Sequence, residues 1–199
     1  MAERILGILA SGGGSNFLAI HNAAKKNQLP FTRIGVVLSD NEDAGALQHA
    51  RRLGIRAFYL GKLNNDQRND MIADIFNTIG VELGIGAGYL KKVGGAVLRS
   101  YPNEILNIHP APLPRFGGPG MHGENVHKAF IESGVAWSGP TVHIMNEEYD
   151  DGQILGHVQV PVKANDTPKS LAARVLPAEH NLYWRVIAQQ LRRGDHLEQ

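Results

Sequence analysis

The sequence predicts an α/β fold: an open, mostly parallel twisted sheet flanked by helices, with an antiparallel strand pair toward the C-terminus. Three observations carry this expectation. Short apolar runs alternate with helix-length amphipathic stretches through the first half of the chain, which is the pattern of βαβ units. A glycine-rich SGGGS follows the first apolar run directly. After about Gly134 two apolar runs flank a turn-rich EEYDDG, which reads as a hairpin with a long loop.

Taken in order, ERILGILA (3–10) is a buried strand, SGGGS a loop, and NFLAIHNAAKKNQ (16–28) a helix ended before Pro30. RIGVVLS (33–39) is a second strand, and DAGALQHARRLG (43–54) a helix closed by Gly54. IRAFYL (55–60) is a third strand, and Asn65 or Asp66 is the expected cap of a helix running to Thr78. VELGIGAG (81–88) and EILNIH (104–109) are further strands, with a helical segment near 89–100 between them. GPTVHIMNE (139–147) and QILGHVQVPV (153–162) form the late pair. Thr167 as cap and Pro168 as first helical residue open a last helix, which Pro177 should kink or split and Gly194 should end. No repeat, low-complexity tract or linker interrupts this order, so one domain is expected.

Composition narrows the function. The 199 residues carry 20 basic and 19 acidic side chains, net +1, dispersed along the chain. No basic block exceeds Arg192–Arg193 or Lys91–Lys92, which argues against a nucleic-acid footprint. There are no cysteines, so a disulfide framework, a thiolate zinc site and a cysteine nucleophile are excluded. The run Ile5–Ala10 is too short for a signal-peptide core, and nothing approaches a membrane span. A soluble protein of a reducing compartment, the cytoplasm, is expected.

Two stretches could carry chemistry. ILASGGGSN (8–16) sets three glycines between a strand and a helix, where backbone amides converge and favour an anion. Gly12 and Gly14 fit the start of a dinucleotide fingerprint with Asp40 as the ribose partner. Phe17, however, stands where the third glycine belongs, and Asp40 lies beyond the usual spacing of about 20 residues. Ser15 and Asn16 instead suit one compact phosphate; a plain tight turn is the bland alternative. The second stretch is ILNIHPAPLPRFGG (105–118). Strand alternation puts Ile105, Asn107 and His109 on one face, at the carboxyl end of the strand where α/β ligands sit. Asn107 can donate to an oxyanion and His109 can move a proton, while three prolines stiffen the exit. A cis Leu113–Pro114 bond is expected within that loop.

SGGGSN, NIHPAPLPRFGG and TVHIMNEEYDDGQIL, in order through nearly the whole chain, resemble the glycinamide ribonucleotide formyltransferases of purine biosynthesis. The resemblance implies a Rossmann-like formyltransferase fold in one domain, 1–199, with a phosphate-binding half (1–100) and a folate-binding, catalytic half (101–199). It implies transfer of a formyl group from the co-substrate 10-formyltetrahydrofolate to the amine of 5-phosphoribosylglycinamide, without metal. Asn107 and His109 match the family's catalytic pair, and Asp150 the carboxylate that holds the histidine protonated and helps relay the proton. Gly14, Ser15 and Asn16 match its phosphate loop, and Glu179 the glutamate on the substrate's ribose. Arg68, Leu90, Lys91, Lys92, Val93 and the run Asn146, Glu147, Glu148, Tyr149, Asp150 match stretches near the folate, with Asn107 beside them. The implied partners are these small molecules, with no nucleic acid or membrane, for a cytoplasmic monomer or homodimer.

The chain departs from the family pattern in two places. Residues 115–140 are longer and richer in glycine, and residues 90–93 read Leu-Lys-Lys-Val where the family has an arginine followed by two apolar residues. His122 and His127 read as a solvated helix face, His143 as a residue that orients a strand neighbour, and Trp137 and Trp184 as packing residues. Formyl-transfer enzymes acting on sugars or an initiator tRNA, a formyltetrahydrofolate hydrolase, and a non-catalytic nucleotide-binding module are the competing functions.

Overall fold

The computed structural model describes residues 3–197. Its elements run β1 (Arg4–Leu9), α1 (Ser15–Lys25), β2 (Thr32–Ser39), α2 (Gly45–Arg52), β3 (Arg56–Tyr59), α3 (Asn65–Ile79), β4 (Leu83–Gly86), α4 (Gly95–Ser100), β5 (Ile105–His109), α5 (Glu124–Glu132), β6 (Trp137–Ser138), β7 (Thr141–Ile144), β8 (Ile154–His157), β9 (Val160–Pro161) and α6 (Pro168–Leu197). One seven-stranded sheet has the order β3-β2-β1-β4-β5-β7-β8. The pairs from β3 to β5 are parallel, and β7 and β8 add antiparallel.

Burial explains why these runs are strands. Leu6 and Ile8 point into a core with Phe17 and Ile20 of α1, Leu47 of α2, and Tyr183 and Ile187 of α6. Leu9, Val36, Leu38 and Ile105 point the other way, against Ile72, Ala73 and Phe76 of α3 and Val97 of α4. A strand covered on both faces reads as a continuous apolar run. Phe76 lies over two strands at once because Gly7 and Gly84 have no side chain; a Cβ would stand 2.5 Å and 3.1 Å from its ring respectively. A third cluster packs Ala111, Phe116, Val126, Phe130, Leu171 and Val175 between α5, the start of α6 and the proline loop.

Several local expectations change. The cap of α3 is Asn64, whose side chain accepts from the Gln67 amide in a capping box, rather than Asn65 or Asp66. The segment near 89–100 is helical only over Gly95–Ser100. Residues 124–132 form α5, which includes His127 of the expected helix face and starts after His122. The strand expected at 153–162 divides into β8 and β9, and β9 pairs with β6 in a sheet of its own. The division falls where the chain crosses Gly139, whose Cβ would stand 1.8 Å from the Val158 carbonyl oxygen. α6 runs continuously through Pro177 and Gly194; a helical glycine costs about 1 kcal/mol, too little to end a long packed helix. Trp137 is 53% exposed rather than packed, and His127 is 4% exposed rather than solvated. Trp184 packs against the first core. The Leu113–Pro114 bond is cis.

Candidate active site

The strand order reverses between β1 and β4, and a cavity of about 320 Å³ opens beside that crevice, at the carboxyl ends of β4 and β5. Asn16 and Glu179 line it on one flank, Leu90–Val93 on another, and Asn107, His109, His143 and Asp150 among the strand ends. Asn146, Glu148 and Tyr149 of the β7–β8 loop and the glycine-rich turn Gly118–Gly123 complete it.

The strand-end cluster is built from three elements. β5 presents Asn107 and His109, the neighbouring β7 presents His143 opposite Asn107, and the loop after β7 returns Asp150 to both histidines. Asp150 adopts φ 56°, a left-handed conformation that costs a non-glycine residue energy and that clusters at functional sites. Its Oδ2 lies 3.4 Å from His109 Nδ1, and its Oδ1 lies 3.5 Å from His143 Nε2. The Gly118 amide donates to Oδ2 at 3.0 Å. Burial pushes the Asp150 carboxyl up, but the two imidazoles, which attract it once protonated, and that amide outweigh burial and hold it below the ordinary carboxylate value.

The histidines are oriented by carbonyls, which can only accept. His143 Nδ1 donates to the Ile144 carbonyl at 2.9 Å, so in the neutral ring Nε2 accepts from Asn107 Nδ2 at 3.2 Å. This fixes which end of the Asn107 amide carries the N–H groups. His109 Nε2 donates to the Phe116 carbonyl at 2.7 Å. With that proton committed, the approach of Nδ1 to Asp150 is attractive only when Nδ1 is protonated as well. Burial opposes the second proton, and it wins: the His109 pKa lies below its ordinary value, although Asp150 and the Phe116 carbonyl pull it upward. The lowered pKa favours the neutral imidazole, against the pull of Asp150 toward the protonated form.

On the flank between α1 and α6, Asn16 Nδ2 donates to Glu179 Oε2 at 2.7 Å, while Asn16 Oδ1 is buried without a partner. Glu179 is 9% exposed, and burial raises its pKa despite the Asn16 hydrogen bond. Gly14 is the N-cap of α1 with φ 82°, and its missing Cβ would stand 2.8 Å from Ala46 Cα, so the glycine lets the loop press on α2. Ser15 is exposed at the same helix start.

Other residues expected at the site stand apart from the cavity. Arg68 is buried in the first turn of α3, where its guanidinium donates to the Leu63 carbonyl. Glu147 Oε1 accepts from the Gly95 amide at 3.2 Å. Neither lines the cavity. Asp40 is already engaged, accepting from Ser11 Oγ at 2.5 Å with Lys91 Nζ at 3.9 Å, which leaves the dinucleotide reading without its ribose partner. His143 is the residue whose importance sequence reasoning understated; its position opposite Asn107 across an antiparallel pair was the available signal.

The formyl transferase family model matches residues 4–187. The chain belongs to the formyl transferase family. Within that family it is 41% identical over 186 residues to the chloroplastic phosphoribosylglycinamide formyltransferase of Arabidopsis thaliana, covering 92% of this chain and 63% of that one. The match to the phosphoribosylglycinamide formyltransferase of Escherichia coli K12 is 33% over 184 residues, covering 91% and 84%. The glycinamide ribonucleotide transformylase 1 structure from Symbiobacterium toebii superposes with TM-score 0.87 at 35% identity, covering 93% of this chain and 86% of that one. The chain spans about three fifths of the length of the plant relatives it matches. Among the described residues no helix is long and apolar enough to cross a membrane, and no group of three or more His, Cys, Asp or Glu could hold a metal ion.

Proposed function

We propose that the chain transfers the formyl group of 10-formyltetrahydrofolate to the amine of 5-phosphoribosylglycinamide, a step of de novo purine biosynthesis. The observation that supports this most is convergence. Asn107, His109 and Asp150 meet at one end of a cavity whose flanks are Asn16 with Glu179 and the Leu90–Val93 segment. The cavity volume lies within the range of small-molecule sites, roughly 300–1,000 Å³. In this reading Gly14, Ser15 and Asn16 hold the acceptor's phosphate at the start of α1, and Glu179 takes ribose hydroxyls. Leu90, Lys91, Lys92 and Val93 face the folate from one side, and Asn146, Glu148, Tyr149 and Asp150 from the other. Residues 1–199 act as one catalytic unit, with the donor a co-substrate and no metal taking part. The mixed-charge, cysteine-free composition fits a cytoplasmic enzyme, although the plant relatives are named chloroplastic.

The geometry suits direct attack. The acceptor nitrogen bonds to the formyl carbon, the carbonyl π pair becomes an oxyanion, and the nitrogen acquires a positive charge. Asn107 donates its second N–H to that oxyanion; a single such donor is commonly worth about 3–4 kcal/mol. Neutral His109 can take the nitrogen's surplus proton, and Asp150, 3.4 Å away, stabilises the imidazolium that results. As the oxyanion collapses and the bond to the folate nitrogen breaks, the proton passes to that leaving nitrogen, directly or through water. The proton count balances, and no covalent enzyme intermediate forms.

A formyl-transfer assay with both substrates, beside an acceptor-free control, tests the reading. Transfer to the ribonucleotide at a rate far above formate release is expected. Formate release that is indifferent to the acceptor would make the protein a hydrolase, and no turnover of the folate would refute the reading.

A further inference from the structure

Asn69 lies in α3, is 2% exposed and does not line the cavity. Asparagine is a poor helix former, and a buried amide costs free energy unless its hydrogen bonds are made. Here two of them reach outward to another segment and one turns back to its own helix. Oδ1 accepts from the Gly94 amide at 2.9 Å, and Nδ2 donates to the Asn65 carbonyl at 2.8 Å and toward the Lys92 carbonyl at 3.4 Å. The two ends of one side chain thus grip the backbone on either side of Val93. That backbone needs a grip, because residues 89–94 belong to neither strand nor helix. The Glu147 carboxylate holds the next amide, Gly95, from the loop that carries Asp150. Asn69 is buried beside Arg68, Ile72 and Ala73, and its two outward hydrogen bonds are what tie α3 to the 92–94 backbone.

We propose that Asn69 is a positioning residue for donor binding, setting the backbone of the Leu90–Val93 wall at the distance the folate requires. This rests on the reading that the wall takes the donor. The residue touches no substrate, so its loss should act on donor affinity and leave the acceptor flank, built from Asn16 and Glu179, nearly unchanged. Asn69→Ala removes both grips. Asn69→Asp keeps an acceptor for the Gly94 amide but turns a buried carboxylate oxygen toward the Lys92 and Asn65 carbonyls, which it repels, so it too releases the segment.

The test is steady-state kinetics on the wild type, Asn69→Ala, Asn69→Asp and Leu90→Ala, with thermal melts of each. The donor KM should rise about 10- to 50-fold in Asn69→Ala and at least as much in Asn69→Asp, while the acceptor KM moves less than about threefold in both. If one variant does not fold, the other alone should still show the donor-only rise. Equal rises for donor and acceptor, or no rise in a folded variant, would overturn the proposal. Leu90→Ala separates the two claims. A raised donor KM there with Asn69 variants unaffected removes the positioning role alone, and an unchanged one removes the donor wall with it.

Discussion

Glu179 sits where stability and binding pull in opposite directions. Its folded pKa is raised above the unfolded value because the carboxylate is buried beside one amide donor. A raised carboxyl contributes stability below its unfolded pKa, near pH 4, and loses it as pH rises through the folded value. Ionising this side chain in the fold therefore costs folding free energy, which the acceptor's hydroxyls would offset on binding. Glu179→Gln keeps an acceptor for Asn16 Nδ2 and removes the charge. The variant should melt higher than wild type at pH 7, with the gap closing toward pH 4, and should bind the acceptor about 1–3 kcal/mol more weakly. Calorimetry and acceptor KM read the two effects. A lower melting temperature with unchanged acceptor KM would make Glu179 a structural partner of Asn16 and nothing more. Gly14 is a poorer probe of the same flank, since any side chain there meets α2 before it meets a phosphate.

At the scale of elements, the site depends on how closely the sheet and α3 approach. Phe76 closes over Gly7 of β1 and Gly84 of β4, and the segment after β4 carries the Leu90–Val93 wall. Gly84→Ala should force the ring or Ile105 aside and cost about 1–3 kcal/mol. Gly12→Ala, with open space around it, should change stability by no more than about 1 kcal/mol. Urea midpoints of the two variants give the comparison, and equal values would contradict the close approach. The strands were legible because parallel strands buried on both faces leave unbroken apolar runs. α5 was legible only as a solvated helix face at His122 and His127 and not as a packed element, because Gly117, Gly118, Gly120 and Gly123 precede it and masked the apolar spacing of Val126 and Phe130. β9 was read as the tail of β8 because a ladder break caused by a distant backbone, at Gly139, leaves no local mark.

Across the whole molecule, the cavity gathers side chains from position 16 to position 179 at the end of one sheet. β7 runs antiparallel to β5 and ends at Ile144 opposite Leu106, near the amino end of β5, so the β7–β8 loop must fold back over the strand ends to bring Asp150 to His109 and His143. Asn107 and His109 were legible as a pair because strand alternation puts them on one face. Asp150 could be told from its acidic neighbours only through the family resemblance, since alternation says nothing about a loop. Asn69 escaped notice altogether, and Glu147 was expected near the folate rather than on the Gly95 amide, because both make backbone contacts reached over 25 and 52 residues.

The claim on which the rest depends is that His109 and Asp150 work as one unit around a proton. The most direct test is the pH dependence of the single-turnover formyl-transfer rate in wild type, Asp150→Asn, His109→Asn and the double variant. Burial lowers the His109 pKa and Asp150 partly restores it, so the acid limb of the wild-type profile should lie below the ordinary histidine value. Removing the carboxylate should shift that limb to still lower pH and reduce the plateau rate about 100- to 10,000-fold. The double variant should lose much less than the sum of the two single losses. An acid limb that stays in place in Asp150→Asn, with losses that simply add, would contradict the account.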